Sequence, residues 1–286
     1  MARSVALVSD STSVDAEFAE RLDVAVVPLQ VVIGAKAYDE GIEATPESVA
    51  EALRQRQPVS TSRPAPETFL RVYERAAKAG AESVVSVHLS SEVSGTFESA
   101  ELAAREASIP VVTVDSRHLG MATGFGVESA AAALDAGATA DEAAEVASQR
   151  CARTEALFYV DTLEYLRRGG RVGAASAIFG SALAVKPLLR VEAGRIVPLE
   201  KVRTSGRALA RLEELAFAAS EAADADVIDI AVSHLANAER ARTLADHLGE
   251  QLSSLGQLVV NQVGAVIGAH VGPGMLAVVV SPRPLS

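Results

Sequence analysis

Small hydroxyl side chains follow an apolar run in the first half of the chain. The run at residues 84–87 predicts a buried strand, and helix-forming residues resume after Gly95. The first backbone N–H groups of such a helix lack partners and its dipole is positive there, so the junction favours a carboxylate or a phosphate. The alternative is that one serine only caps the helix. The hydroxyl donors of this stretch are Ser90, Ser91, Ser94 and Thr96.

Two further stretches combine hydroxyl residues with groups that can bind a ligand. Asp10 lies between serines and threonines at the end of a predicted strand, where a carboxylate most often bonds the N–H groups of its own turn. Residues 58–66 contain Thr61, Ser62 and several prolines, which forbid a helix. We predict that this second stretch is a loop, either a linker with a cap or the side wall of a site.

A histidine and three arginines in the second half are the remaining candidates. We place His270 in a sharp turn of residues 270–274, His-Val-Gly-Pro-Gly, where it can donate to an acid group or position a water; a buried structural histidine is an equal alternative. Arg167, Arg168 and Arg171 surround two glycines at the predicted end of a helix. They either complement the helix dipole or form an anion or partner site.

Composition and motifs exclude several classes of function. The formal net charge of -11 argues against a nucleic-acid surface. The sequence contains no P-loop, dinucleotide glycine motif, zinc-protease motif or hydrolase nucleophile elbow, and we expect no metal. The single Cys151 excludes an internal disulfide and is expected to pack in a helix. With no signal peptide or membrane-spanning run, we expect a cytoplasmic protein without stable membrane insertion.

Strands alternate with helices along the chain, which predicts an α/β protein. We predict two α/β domains, residues 1–155 and a smaller domain of residues 156–286. In the second domain, residues 185–191 and 195–202 predict a β-hairpin. The first is expected to have a largely parallel sheet that helices cover on both faces.

Six short motifs in order resemble the DegV family of bacterial fatty-acid-binding proteins, which includes the lipid-carrying subunits of fatty acid kinase. The resemblance spans essentially the whole chain. It implies that two α/β domains hold one fatty acid at their junction, that no other cofactor is needed, and that a separate kinase subunit supplies ATP and phosphorylates the carboxylate. The motifs are Ser9 to Ser13, Thr61 Ser62 with Pro64 and Pro66, Ser94 Gly95 Thr96, Val114 Asp115 Ser116, Leu166 to Arg171, and His270 to Gly274.

The resemblance also implies roles for particular residues. Thr61 and Ser94 would bond the carboxylate near Ser62 and the backbone of Gly95 and Thr96, and His270 would complete the network from the second domain. Hydroxyls and a helix N-terminus would then hold the carboxylate without a buried fixed cation. The residues implied near phosphoryl transfer or kinase docking are Arg171 and Arg203, and we add Arg167 and Arg168 from their position.

The sequence departs from the family pattern in two places. Arg63 stands where the family usually has Gln, and Gly120 and Ala122 stand where it tends to have Ser and Gly. Two other functions stay open: an enzyme that uses His270 and Ser94 as base and nucleophile, and a lipid-responsive regulator. A carrier must expose its ligand to a partner, so we expect a monomer. Transient exchange with membranes is a further expectation for a carrier.

Overall fold

The computed structural model describes residues 3–172 and 186–284. Among the described helices, none combines the length and apolarity needed to cross a membrane. The strands are β1 Val5–Asp10, β2 Val24–Val27, β3 Gln30–Ile33, β4 Lys36–Asp39, β5 Val59–Ser62, β6 Ser83–His88, β7 Val111–Asp115, β8 Glu155–Tyr159, β9 Lys186–Glu192, β10 Arg195–Val202, β11 Ile228–His234, β12 Leu255–Gln262 and β13 Leu276–Pro282. The described helices are α1 Ala16–Leu22, α2 Pro46–Arg54, α3 Pro66–Lys78, α4 Thr96–Glu106, α5 Met121–Asp135, α6 Ala140–Arg153, α7 Glu164–Arg168, α8 Ser205–Ala222, α9 Ala238–Gln251 and α10 Ala265–Val271.

The first half of the chain is built on a parallel sheet of four strands, in the order β2-β1-β6-β7. Helices α3 and α4 pack on one face, where Phe69 and Tyr73 are fully buried. Helices α1, α5 and α6 pack on the other face. The predicted parallel sheet with helices on both faces is confirmed, and its apolar strands reflect burial on both sides.

A small antiparallel sheet, in the order β4-β3-β5, stands beside this layer. The prediction that residues 58–66 form a loop is wrong at β5, where Thr61 pairs with Val31 of β3. The prolines do not prevent this pairing because they lie outside the strand, at Pro58 and from Pro64 onward. Strand β5 fixes the position of Thr61, which a free loop would not do.

The second half carries a mixed sheet of six strands, in the order β10-β9-β8-β13-β11-β12. Strands β9 and β10 form the predicted hairpin, with a tight turn at Ala193 and Gly194. Helices α8 and α9 cover one face. The second half is shorter in sequence than the first, but its sheet has six strands against four.

Helices of the first half also pack against the second sheet. Met121, Ala122 and Phe125 of α5 belong to the core on the face of the six-stranded sheet opposite α8 and α9. A buried ion pair joins Arg150 of α6 to Asp229 of β11, with Nη2 2.5 Å from Oδ2. The sheets therefore share a helical layer, while the domain boundary at residue 155 stays a prediction.

Candidate functional site

One cavity of about 140 Å³ brings together most of the side chains that the sequence singled out. We call it the main cavity. Its wall includes Thr61, Ser62, Ser94, Gly95 and His270. These residues come from β5, from the loop before α4 and from α10, so the cavity lies where the two halves of the chain meet. Thr96 does not line it.

His270 lies in the last turn of α10, and the prediction that it belongs to a turn is wrong. Helix α10 continues through Val271 because the residues before it pack as a buried apolar segment. The helix ends at Gly272, whose φ of 76° favours glycine. The helix backbone therefore fixes the imidazole, and its Nε2 lies 2.8 Å from Oγ1 of Thr61.

Burial, and to a smaller extent the charge of Arg171, lowers the pKa of His270 to about 4, so the imidazole is neutral at pH 7. A neutral imidazole carries its proton on only one ring nitrogen. With the proton on Nε2, His270 donates to Thr61, and the Thr61 hydroxyl is free to donate to an acid in the cavity. With the proton on Nδ1, Thr61 must donate to the ring instead. A bound carboxylate therefore selects the Nε2 tautomer.

The position of the second ring nitrogen of His270 explains why a glycine, Gly169, stands in the arginine-rich motif. Nδ1 is buried without a hydrogen-bond partner in the described part of the protein. It packs against Gly169, where a Cβ would overlap the imidazole. Gly169 therefore provides the space that allows His270 to reach Thr61.

The hydroxyls near α4 form a short chain of hydrogen bonds. Ser94 Oγ lies 2.9 Å from Thr96 Oγ1 and accepts from the Thr96 N–H at 3.3 Å. Thr96 is fully buried, so its hydroxyl orients Ser94 and does not face the cavity. Helix α4 has no side-chain cap at its Gly95 N-cap position, although the Ser94 contact serves the next N–H. Capping and ligand contact are thus compatible at this serine.

Two guanidinium groups, neither of them buried, line the main cavity. Arg171 is half-buried, with Nε donating to Val93 O at 3.1 Å and Nη1 to Gly169 O at 2.6 Å. Arg63 is exposed and donates to Gly95 O at 3.3 Å. Sequence reasoning missed this because Arg63 and Arg171 are far apart in the chain. Together they make the cavity favourable for an anion.

The other candidate arginines lie outside the main cavity. Arg167 and Arg168 are exposed in the last turn of α7, and Arg168 pairs with Glu164. Arg203 is exposed just beyond the end of β10, the strand whose first residues include Ile196 of the cavity wall. At about 3.3 Å per residue, Arg203 is roughly 20 Å from that wall.

Asp10 supports the loops beneath the cavity. It is fully buried and accepts from the Thr12 N–H at 3.1 Å and the Leu89 N–H at 2.9 Å, so it joins the ends of β1 and β6. Burial by itself raises the pKa of Asp10, but hydrogen bonds and the charge of His88 outweigh it and lower the pKa. Asp10 therefore has the predicted structural role in its own turn, extended to a second loop.

The β9–β10 hairpin closes another side of the cavity. Ser90 donates to Gly194 O at 2.8 Å, and Arg195 pairs with Glu92 at 2.6 Å. These contacts hold Ile196 against the loops of the first half. Ser90, which was a candidate ligand donor, instead attaches the hairpin to the loop.

A smaller apolar space of about 50 Å³ adjoins the main cavity beneath the six-stranded sheet. We call it the inner passage. The two share the side chains of Leu119, Ile196, Ile267 and Val271. No local sequence pattern indicates this wall, because its residues resemble ordinary core positions of separate elements. Polar groups and guanidiniums at one end and an apolar passage at the other suit an amphipathic acid.

Comparison with known proteins gives a consistent result. The sequence model described as an uncharacterised protein of the DegV family matches residues 4–283. A DegV domain-containing protein of Streptomyces coelicolor is 55% identical over 99% of this chain and 100% of its own length.

Solved structures are similar over the whole chain. A DegV family protein from Thermus thermophilus, described as fatty acid binding, has a TM-score of 0.91 at 31% identity, covering 98% of this chain and 100% of its own. DegV of Bacillus subtilis, described as a fatty acid binding protein, has a TM-score of 0.89 at 32% identity, covering 99% of this chain and 100% of its own. The fold, the order of the motifs and the extent of these matches agree, and the chain belongs to the DegV family.

Proposed function

We propose that this protein binds a long-chain fatty acid, with the carboxylate in the main cavity and the tail in the inner passage. The observation that carries the proposal is that the two spaces adjoin through shared wall residues: hydroxyl and guanidinium groups line one, and apolar side chains line the other. The DegV proteins of T. thermophilus and B. subtilis, described as fatty acid binding, add support.

In this proposal the carboxylate accepts hydrogen bonds from Thr61 and Ser94. His270 orients the Thr61 hydroxyl, while Gly95 allows close approach at the positive end of α4. Arg171 stabilises the negative charge from the side. Burying the tail contributes roughly 0.8 kcal/mol per methylene, so the apolar part supplies most of the binding free energy and the polar part supplies orientation.

The proposal is tested by extracting and identifying the lipid that copurifies with the protein, and by measuring affinity for palmitic acid after delipidation. We expect Thr61→Val and Ser94→Ala each to weaken binding about tenfold or more, because each removes a hydrogen bond to a charged group. Thr243→Val and Ser253→Ala are matched controls, since both residues are exposed and far from the cavity wall. A protein that takes up no fatty acid contradicts the proposal.

We further propose that the protein presents the carboxylate to a separate ATP-binding kinase subunit, and that it acts as a cytoplasmic monomer. Exposed Ser62 and Arg63 in the cavity wall support this, because they connect the carboxylate site with the surface. Arg167 and Arg168 lie on the same side, in the segment leading to Arg171.

The kinase step is tested by partner-dependent formation of acyl phosphate. We expect the double variant Arg167→Glu with Arg168→Glu to lower turnover at unchanged fatty acid affinity. Arg105→Glu, exposed in the last turn of α4, is the control for a charge reversal away from the cavity. Unchanged turnover in the double variant contradicts docking at α7.

The alternative of a serine hydrolase has less support. His270 bonds Thr61, and Ser94 bonds Thr96, so the two are not paired as base and nucleophile. No specific contact favours a lipid-responsive regulator, for which lipid-dependent binding to a partner other than a kinase would be the sign.

A further inference from the structure

A third space borders the inner passage. We call it the outer pocket, and its volume is about 370 Å³. Loops after β1 and β4 form one wall, and the end of β12 with the start of α10 forms the other. Residues that represent these walls are Asp15, Glu40, Ile42, Asn261 and Gly264.

The outer pocket borders the inner passage. Gly120, Met121, Ser233, Val263 and Ile267 line both, and Ile267 lines the main cavity as well. A Cβ at Gly120 would lie 3.5 Å from Ile267 Cδ1, so the glycine leaves room about the size of a methyl group beside the side chain common to all three spaces. Thr12 also lines both the main cavity and the outer pocket. We call this series of adjoining spaces the path.

The inner passage is too small to hold a long tail by itself. Its volume of about 50 Å³ accommodates about four groups the size of a water or a methylene, at roughly 10 to 15 Å³ each. A chain that starts at Thr61 and passes Ile267 therefore reaches the outer pocket with its last carbons.

The two ends of this path have opposite charge. Within the described residues, the main cavity wall includes Arg63 and Arg171 and no acidic side chain. The described wall of the outer pocket includes Asp15 and Glu40 and no basic side chain. Because burial raises the pKa of Glu40 to about 7, Asp15 carries most of the negative charge of this wall at neutral pH. A carboxylate is thus stabilised at the first end and repelled at the second.

The polar groups of the outer pocket are mostly engaged with one another. Glu40 accepts from Ser11 Oγ at 2.6 Å and from the Val266 N–H at 2.7 Å. Ser233 donates to Asn261 Oδ1 at 2.6 Å. The wall is otherwise mostly apolar, and its described residues include no cation, so it can border a methyl end or an uncharged hydroxyl.

Building on the proposed function, we propose that the outer pocket receives the end of the acyl chain farthest from the carboxylate, so that the protein accepts chains with an uncharged terminal group and rejects α,ω-dicarboxylic acids. The charge difference fixes the direction in which the fatty acid enters the path. The outer pocket also provides room for chains that exceed the length of the inner passage.

The test compares three acids of equal chain length on the delipidated full-length protein: palmitic acid, ω-hydroxypalmitic acid and hexadecanedioic acid. We expect the hydroxy acid to bind within about threefold of palmitic acid and the diacid to bind at least about tenfold more weakly than the hydroxy acid, because a second carboxylate must leave water near Asp15 and Glu40.

Two variants distinguish the outer pocket from the rest of the path. Asp15→Asn keeps the cap of α1 and removes a charge, so the preference against the diacid should fall up to about fivefold, as expected for an exposed charge. Asp141→Asn, in the exposed first turn of α6, is its control. Ala16→Trp fills the pocket from an exposed position and should weaken binding of ω-hydroxypalmitic acid while leaving the shorter decanoic acid unchanged.

The outcomes separate this inference from the proposed function. If palmitic acid does not bind, both fail. If palmitic acid binds while the hydroxy acid is rejected as strongly as the diacid, or if Ala16→Trp changes no affinity, the outer pocket does not receive the chain end and only this inference is overturned.

Discussion

The two ends of α10 each meet a side chain from the first half of the chain, and each contact contains a buried titratable group. At the last turn, His270 of the helix bonds Thr61 of β5. At the first turn, the Val266 N–H bonds Glu40, which follows β4. The helix is thus held at both ends by partners more than 200 residues away in sequence.

Burial shifts both groups toward neutrality, but the two contacts differ in how completely they are satisfied. The pKa of His270 falls to about 4 and that of Glu40 rises to about 7. Both oxygens of Glu40 have donors, from Ser11 and Val266, whereas His270 leaves Nδ1 unpartnered in the described part of the protein. A fully paired buried group mainly stabilises the fold, and a partly paired one beside a cavity is a candidate for binding.

The largest expected difference between the two groups is in the pH dependence of stability. Folded His270 resists protonation down to about pH 4, whereas the unfolded histidine protonates near its ordinary pKa of 6.5, so its contribution to stability falls as the pH falls through this range. Folded Glu40 keeps its proton up to about pH 7, whereas the unfolded carboxyl loses it near 4.5, so its contribution falls as the pH rises. The two effects oppose each other between these values.

Replacing one of the two groups should leave the pH dependence of stability that the other group causes. Glu40→Gln should make stability rise more steeply with pH, and His270→Gln should do the reverse, each by up to about 1.4 kcal/mol per pH unit and about 3 kcal/mol in total. Urea unfolding from pH 4.5 to 7.5 measures this, with exposed Glu43→Gln as the control. Arg171 beside His270 and Asp10 near Glu40 are unchanged in both variants. Profiles parallel to that of the unmodified protein would contradict the assigned shifts.

A smaller effect should separate a structural role from a binding role. Glu40→Ala should lower the free energy of unfolding at pH 6 by about 2 kcal/mol, because the Ser11 hydroxyl and the Val266 N–H lose their acceptor. His270→Ala should lower it by less than about 1 kcal/mol but weaken fatty acid binding about tenfold, since Thr61 loses the group that orients it. Equal effects of the two variants on fatty acid binding would contradict the assignment of a structural role to Glu40 and a binding role to His270.

Much of the first sheet was predictable because its signals are local. The apolar runs of β1, β2 and β6 and the caps of α2 and α6 can be identified within a few residues of sequence. The β9–β10 hairpin was also predicted from the sequence. In the structure, Ala193 and Gly194 form its tight turn, and both have positive φ.

The errors occurred where distant residues decide the structure. Strand β5 exists because β3 offers it a partner, and neighbouring prolines disguise it. His270 lies in a helix because the apolar side chains before it pack against the first half of the chain. Glu40 carries no local signal at all, since its partner Val266 is 226 residues away.

The sequence by itself determined the α/β class, the parallel first sheet and the hydroxyl, histidine and arginine candidates of the main cavity, because periodicity and turn chemistry act over short distances. Only the tertiary structure decided that Thr61 meets His270, that Arg63 and Arg171 share one wall, and that three spaces adjoin at Ile267. Contacts of this kind depend on how the two halves pack across α10, and packing is set by the shapes of side chains that are remote from each other in the chain.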